Sequence, residues 1–412
     1  MNNYEKSIVI NSSLGVDDYR RILATIHKAT HEQGYSNIAL DFSDCTSAYP
    51  CGMLPLISYV RALTKSHIDF SLLLPKDDTL ARRFRTSNWA HLLEPRNHDE
   101  YQPHQNQSTV PALVFFTDQD QQSCVNRIVD SILRTVSGLN RADFAAVEWA
   151  LNEITDNVLN HSQSNTGGIV QLTAHRHRRR AIEFTVCDAG LGVAKTLRDA
   201  RSEIKSDMDA LTEAVKEGVT RNSTTNQGNG LFGSFEICRI SRGIFRLHSN
   251  NARLDLSNGS VSYKSEKVPF SGTMVDATID IADTGLLEQA LKFRGKVHRP
   301  TDLIEYKYET DNLSHINFVI SDEASSFASR ASGKPIRIKL KNICEMCVGQ
   351  KIILDFSGVS VISSSFADEV FGMLFVELGP MRFMTALAFH NASPTVVGLI
   401  DRAIALRAQQ KG

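Results

Sequence analysis

The tetrapeptide Leu-Asp-Phe-Ser occurs at both ends of this 412-residue chain, as Leu40 to Ser43 and as Leu354 to Ser357. Aligning residues 37–53 with 351–367 at a constant offset gives NIALDFSDCTSAYPCGM over KIILDFSGVSVISSSFA, and the same elements surround both copies: a strand, a turn of small residues, an apolar helix. A chain whose ends repeat one another is not a single undivided core. At roughly 150 residues per domain, its length leaves room for a third unit between them.

Taken in order, residues 8 to 93 alternate short apolar runs with helical periodicity, as in a small α/β layer structure. Residues 95–111, PRNHDEYQPHQNQSTVP, are polar and carry three prolines, the composition of a linker. A second unit opens at ALVFF near Ala112, continues through helices over 121–136 and 144–162 to the strands IVQLTAH and AIEFTVCD, and closes with FRLHS, VSYKS and TMVDATIDI. A charged stretch over 291–314 leads to the third unit, which reads HINFVIS, a helix near 323–331, IRIKL, KIILDFS, a helix over 366–378, MTALAF and a final helix. The expected division is 1–100, 112–285 and 300–412.

Net charge is -1 and the pI is near 6.9, so no global field draws the chain to nucleic acid or to an anionic membrane. The basic cluster RHRRR at 176–180 reads as a solvated hairpin turn, because it has no basic company. The start, MNNYEKSIVINSS, lacks the basic segment and apolar run of a secretory signal, and no window approaches 18 apolar residues, so a cytoplasmic location and no membrane contact are expected. Seven scattered cysteines fit reduced thiols better than a disulfide framework, and the single CxxC, Cys344 and Cys347, has no second pair to complete a metal site.

The chemistry concentrates in the middle unit. In FAAVEWALNEITDNVLNHS, Val147, Leu151, Ile154 and Val158 form one apolar stripe, with Asn140 placed to cap the helix. Glu153, Asn157 and His161 step by four along a neighbouring line. A carboxylate and a carboxamide one turn apart beside a buried stripe need a partner, which a magnesium ion carrying a nucleotide would supply; an ordinary amphipathic helix with a polar rim is the plainer alternative. Next, the strand IEFTVC ends on Asp188, followed by Gly190 and Gly192. An acidic side chain there can accept from an exocyclic amine while the glycines let the backbone turn beneath a base. Third, Gly228, Gly230 and Gly233 in GNGLFG lead into a helix whose amides can cradle phosphates. Each turn alone says little, but three in this order are specific.

That order of acidic-asparagine helix, DxGxG and GxGLF resembles the GHKL family of ATP-binding domains, which includes DNA gyrase, MutL-type repair proteins, sensor histidine kinases and anti-sigma-factor serine kinases. NEITDNVLNHS and GNGLF are most similar to the serine-kinase branch. The resemblance covers about 118–283 and implies a Bergerat-type α/β sandwich, of α+β class, that binds ATP with Mg2+. By the same token Glu153 orients or deprotonates the attacking group, Asn157 holds magnesium and Asp188 reads adenine. Gly190 and Gly192 shape the base pocket, Gly228, Gly230 and Gly233 contact phosphates, and a lid spans about 193–226. Gly272 and Thr273 in SGTMV match the family's last element. No Walker P-loop is present.

The flanking units resemble STAS domains, the fold of anti-sigma-factor antagonists, in which the turn after Asp-x-Ser carries a phosphoacceptor serine. The C-terminal copy reads Ser363, Ser364, Ser365, Phe366 there, making Ser364 and Ser365 candidate acceptors; the same serines read equally as a helix cap. The N-terminal copy, Tyr49, Pro50, Cys51, Gly52, offers no hydroxyl at the acceptor position. The resemblances imply a serine kinase or partner-switch protein using Mg-ATP, with an ATP-hydrolysing clamp as the alternative, and a protein partner docked through the STAS-like units. Homodimerisation is an expectation of the family alone. A sensor histidine kinase fits less well, because 121–136 holds no histidine.

Overall fold

The computed structural model describes residues 5–102, 109–175, 181–219, 229–281, 287–293, 296–298, 300–309, 315–324 and 326–409. The chain forms two compact units, one of residues 1–103, 109–125 and 149–298, the other of 104–108, 126–148 and 299–412.

The first unit opens with β1 (Glu5–Val9), β2 (Ser13–Leu14), α1 (Tyr19–His27), β3 (Asn37–Asp41), β4 (Ser47–Ala48), α2 (Pro50–Lys65), β5 (Asp69–Leu73), α3 (Asp78–Thr86) and α4 (Trp89–Leu93). Strands β1, β3 and β5 make a parallel sheet with β3 in the centre, where Ile38, Leu40 and Phe42 are buried. The LDFS turn follows β3, and Asp41 Oδ1 accepts from the Ser43 amide at 2.9 Å. Helix α2 begins at Pro50, whose fixed φ suits the first helical position. A Cβ on Gly52 would lie 2.7 Å from the Leu14 carbonyl oxygen, so only glycine lets α2 approach β2 this closely.

There follow β6 (Thr109–Phe115), α5 (Asp118–Thr135), α6 (Arg141–His161), β7 (Gly168–His175), β8 (Ala181–Asp188), α7 (Val193–Ala200), α8 (Asp207–Ala214), α9 (Gly230–Ile240), β9 (Ile244–Ser257), β10 (Ser260–Asp280) and the short pair β11 (Lys292–Phe293) and β12 (Lys296–Val297). Five strands form an antiparallel sheet in the order β6-β7-β8-β10-β9. The runs FRLHS, VSYKS and TMVDATIDI are parts of one long hairpin, β9 with β10, in which β10 alone covers the last two. Strand β8 is buried on both faces, which a sheet reaches only when each face is covered. One cover is the N-terminal part of the chain: α2 packs on β7 and β8, and α1 on β10. Met53, Leu54 and Ile57 share a core with Ile169, Cys187 and Met274, each fully buried apolar side chain contributing about 1.5–3 kcal/mol. The buried Trp89 indole donates to Gln171 Oε1 at 2.8 Å, satisfying two polar groups beneath that cover.

The second unit takes the parts of α5 and α6 within residues 126–148 and adds α10 (Leu303–Tyr308), β13 (His315–Val319), α11 (Arg330–Met346), β14 (Lys351–Asp355), α12 (Ser364–Ala367), α13 (Met373–Leu378), α14 (Pro380–Ala386), β15 (Leu387–His390) and α15 (Pro394–Gln409). Its sheet is again parallel, with β14 between β13 and β15. After β14 the LDFS turn recurs, Asp355 Oδ1 accepting from the Ser357 amide at 2.9 Å. The alternation IRIKL is helical, lying within α11: Ile336, Leu340 and Ile343 are buried at steps of four and three, and this packing overrides the strand-like pattern. Among the described residues no helix is long and apolar enough to cross a membrane.

Candidate functional site

Helix α6 starts as its sequence requires. Asn140 Oδ1 accepts from the Asp143 amide at 2.7 Å, and Val147, Leu151, Ile154 and Val158 are all buried. Glu153, Asn157 and His161, on the adjoining line, face a cavity of about 330 Å³. Burial pushes the Glu153 carboxyl up to about 7, with the negative charge of Asp156 adding to the effect. Opposite stands the first residue of α9. A Cβ on Gly230 would lie 2.4 Å from Glu153 Oε2 and 3.4 Å from Asn157 Nδ2, so the space for a side chain is taken by the two groups that line the cavity. Oxygen-bearing side chains one turn apart beside a helix N-terminus fit a hard, hydrated cation with anionic phosphate ligands.

The other end of the cavity is built around Asp188, the last residue of β8 and 2% exposed. Its Oδ1 accepts from the Gly190 amide at 2.8 Å and its Oδ2 from the Thr273 amide at 3.3 Å. Burial raises its carboxyl to about 7 despite these donors. The glycines allow close packing. A Cβ on Gly190 would meet the Ser162 carbonyl oxygen at 2.0 Å, and one on Gly272 the Asp188 carbonyl oxygen at 2.1 Å. Gly192 has φ +83 and, with Thr273, lines the cavity. Thr273 Oγ1 accepts from the Val193 amide at 3.0 Å and so ties β10 to the start of α7.

Several contributors escape a reading of the sequence. Ser249 and Asn250 in β9 hold the first turn of α7: Ser249 Oγ accepts from the Ala194 amide at 3.3 Å, and Asn250 Oδ1 from the Lys195 amide at 3.1 Å. Their only advance signal is the polar run SNN in the middle of an apolar strand. Trp149 and His298 also line the cavity, ring against ring at 6.0 Å.

Other expected residues take different places. Gly228 lies outside the described residues, as do RHRRR and the end of the expected lid. Gly233 sits one turn into α9, buried, with its amide donating to the Asn229 carbonyl at 2.7 Å. In the second unit Ser363 caps α12, accepting from the Phe366 amide at 3.0 Å; its hydroxyl is also 3.0 Å from that of Ser365, while Ser364 is exposed. Cys344 and Cys347 are buried free thiols, and no cluster of three or more His, Cys, Asp or Glu with metal-binding geometry occurs among the described residues.

Residues 115–233 match the family model of a histidine kinase-like ATPase domain, and residues 332–397 that of a STAS-like domain of unknown function. The first match implies nucleotide binding. No curated protein matches the chain. Solved structures include the histidine kinase domain of the blue-light activated histidine kinase from Erythrobacter litoralis EL346, at 13% identity over 67% of this chain and 95% of that one, TM-score 0.18. Full-length ShkA in complex with AMPPNP is similar at 11% identity over 94% and 72% of the two chains, TM-score 0.19.

Proposed function

We propose that this chain is a regulatory serine kinase of the partner-switch kind, in which residues 112–285 bind Mg-ATP and the STAS-like segments that precede and follow them in sequence, 1–100 and 300–412, dock a protein partner. The observation that carries the reading is that Glu153, Asn157 and Gly230, which the reading gives to the triphosphate, and Asp188 and Thr273, which it gives to the base, line one and the same cavity. Asp188 accepts from the exocyclic amine of adenine, and Asn157 with the amides opening α9 receives the phosphates. Magnesium, held through Asn157, supplies charge neutralisation on the phosphate oxygens. In the transfer step a serine oxygen bonds to the γ-phosphorus, the bond from γ-phosphorus to the β–γ bridging oxygen breaks, and ADP leaves. Glu153, raised to about 7, takes the serine proton.

The acceptor is Ser364 or Ser365 of the chain itself, or a serine on the partner. Exposure favours Ser364, since the Ser365 hydroxyl is engaged by Ser363. Phosphate at the start of α12 adds nearly two negative charges at a helix N-terminus and changes what that surface docks. The ATPase clamp shares the same groups, with Glu153 directing water. Purified protein is incubated with Mg-ATP, then assayed by intact mass, peptide mapping and released phosphate. Phosphoserine at 364 or 365 that is absent from Glu153→Gln supports transfer in cis; free phosphate with unmodified protein supports the clamp; no nucleotide binding overturns both.

A further inference from the structure

We propose that Arg20, far from the nucleotide cavity in sequence, is a positioning residue for it: Arg20 fixes Asn250, and Asn250 holds the turn that forms the cavity wall. The inference rests on the nucleotide reading and extends it to the N-terminal part of the chain.

The β9–β10 hairpin changes register where it passes the cavity. Ala252 pairs with Ser265, Asn250 with Phe270 and Ser249 with Thr273, so residues of β10 bulge out between these pairs. A bulge interrupts the ladder and turns backbone carbonyls away from their strand partners. At this break α1 inserts a guanidinium that is 6% exposed. Arg20 Nη1 donates to the Asn250 carbonyl at 2.8 Å and the Val268 carbonyl at 2.6 Å, and Nη2 to the Ala252 carbonyl at 3.4 Å. One rigid planar fork thus spans both strands of the irregular segment, a geometry that a lysine ammonium does not reproduce.

Asn250 itself is in the left-handed region, φ +48, and faces the cavity wall with its side chain. Its Oδ1 accepts from the Lys195 amide at 3.1 Å and its Nδ2 donates to the Leu191 carbonyl at 3.3 Å, bracketing Gly192 and Val193, both of which line the cavity. The next residue continues the pattern: the Asn251 amide donates to Asp207 Oδ2 at 3.0 Å, at the start of α8. A short piece of β9 therefore anchors the segment from Leu191 to Asp207, and its own backbone is held from α1. The N-terminal part serves as a clamp on the nucleotide turn as well as a cover for the sheet.

The test is a double-mutant cycle on the full chain, with Mg-ATP affinity measured by calorimetry on folded protein at a temperature well below its unfolding midpoint. Arg20→Ala is expected to weaken ATP binding about tenfold, and Asn250→Ala by a similar factor. The double variant is expected to lose no more than the larger single loss, because Arg20 acts on the cavity wall through Asn250. Arg20→Lys keeps part of the affinity, whereas Leu23→Ala, in the same helix but away from the bulge, lowers the unfolding midpoint and leaves affinity unchanged. If Arg20→Ala does not fold, Arg20→Lys with and without Asn250→Ala carries the cycle. Wild-type affinity in the Arg20 variants, or losses that add, overturns the coupling alone, provided that Asp188→Ala still abolishes binding. A wild-type chain that binds no ATP overturns the nucleotide reading and this inference together.

Discussion

Gly230 and Glu153 occupy one another's space: a methyl group on the glycine would lie 2.4 Å from Glu153 Oε2, although the two residues come from different helices. The contact is to the tip of a flexible side chain, so a substitution displaces the carboxylate more readily than it disturbs the backbone. Gly230→Ala should therefore leave the protein folded and, under the proposed function, move Glu153 off the position from which it would take the proton. Turnover of ATP should fall by about a hundredfold, in the range ascribed to general acid–base catalysis. Single-turnover rates beside a thermal melt check this; an unchanged rate would remove Glu153 from the chemical step.

The pH profile follows from the same carboxyl. Burial holds Glu153 near 7, above its ordinary value, so the proton-accepting form is lost below that pH and turnover should rise with pH through about 7. Asp156 disfavours the charged form, so Asp156→Asn should move the midpoint of the profile downward. A midpoint that stays in place would mean that burial alone sets it.

Stability carries the opposite sign. The folded state binds the Glu153 proton more tightly than the unfolded chain does, so this group's contribution is present below about 4.5 and lost as pH climbs through 7. The loss amounts to at most about 3 kcal/mol. Glu153→Gln removes it, and denaturant titrations should find the variant gaining on wild type at pH 8 while matching it near pH 4. Equal differences at both pH values would contradict the raised value.

His248 makes the reverse case. It is fully buried against Tyr19, whose hydroxyl lies 2.9 Å from Nδ1, and burial pulls its pKa down to about 4 in spite of Asp255. The unfolded chain then takes up the proton first, so stability from this group is present above about 6.5 and is lost as pH falls toward 4. His248→Gln should flatten the acid limb of the melting curve over that window. An unaltered limb would assign acid unfolding to other groups.

What the sequence revealed was local or periodic. The LDFS turns are legible because Asp41 and Asp355 each bond two residues onward, a contact that needs nothing from the rest of the fold. The stripe on α6 and its Asn140 cap are legible for the same reason. The hold of Ser249 and Asn250 on the α7 turn is not, since it joins residues 55 apart in sequence through hydrogen bonds whose partners are backbone amides. IRIKL misleads because alternation and helical spacing share Ile336 and Leu340, and only the packing around α11 separates them. The cover that α1 and α2 provide for the five-stranded sheet left no motif beyond the apolar character of β8 on both faces.

The last prediction concerns the buried charges of the second unit, where Lys339 is fully buried with its ammonium between Asp130 and Glu323. Glu323 also meets Arg134 at 2.7 Å, Lys307 at 3.0 Å and the Tyr308 hydroxyl at 2.9 Å. Burial pulls the Lys339 ammonium down to about 8, against the pull of the two carboxylates. Three cations thus share two carboxylates, and the partners are not equivalent. Lys339→Met leaves Glu323 paired with Arg134 and Lys307, and Asp130 paired with Arg134, so every remaining charge keeps a partner. Glu323→Ala leaves Lys339 and Arg134 to share Asp130, takes from Lys307 the carboxylate it meets and removes the acceptor of the Tyr308 hydroxyl. Removing one side of a buried pair costs about 3–5 kcal/mol when the other is left uncompensated. Glu323→Ala should therefore reach that range and Lys339→Met fall well below it, as read from urea midpoints. The opposite order would mean that Lys339, not Glu323, is the hub of the network.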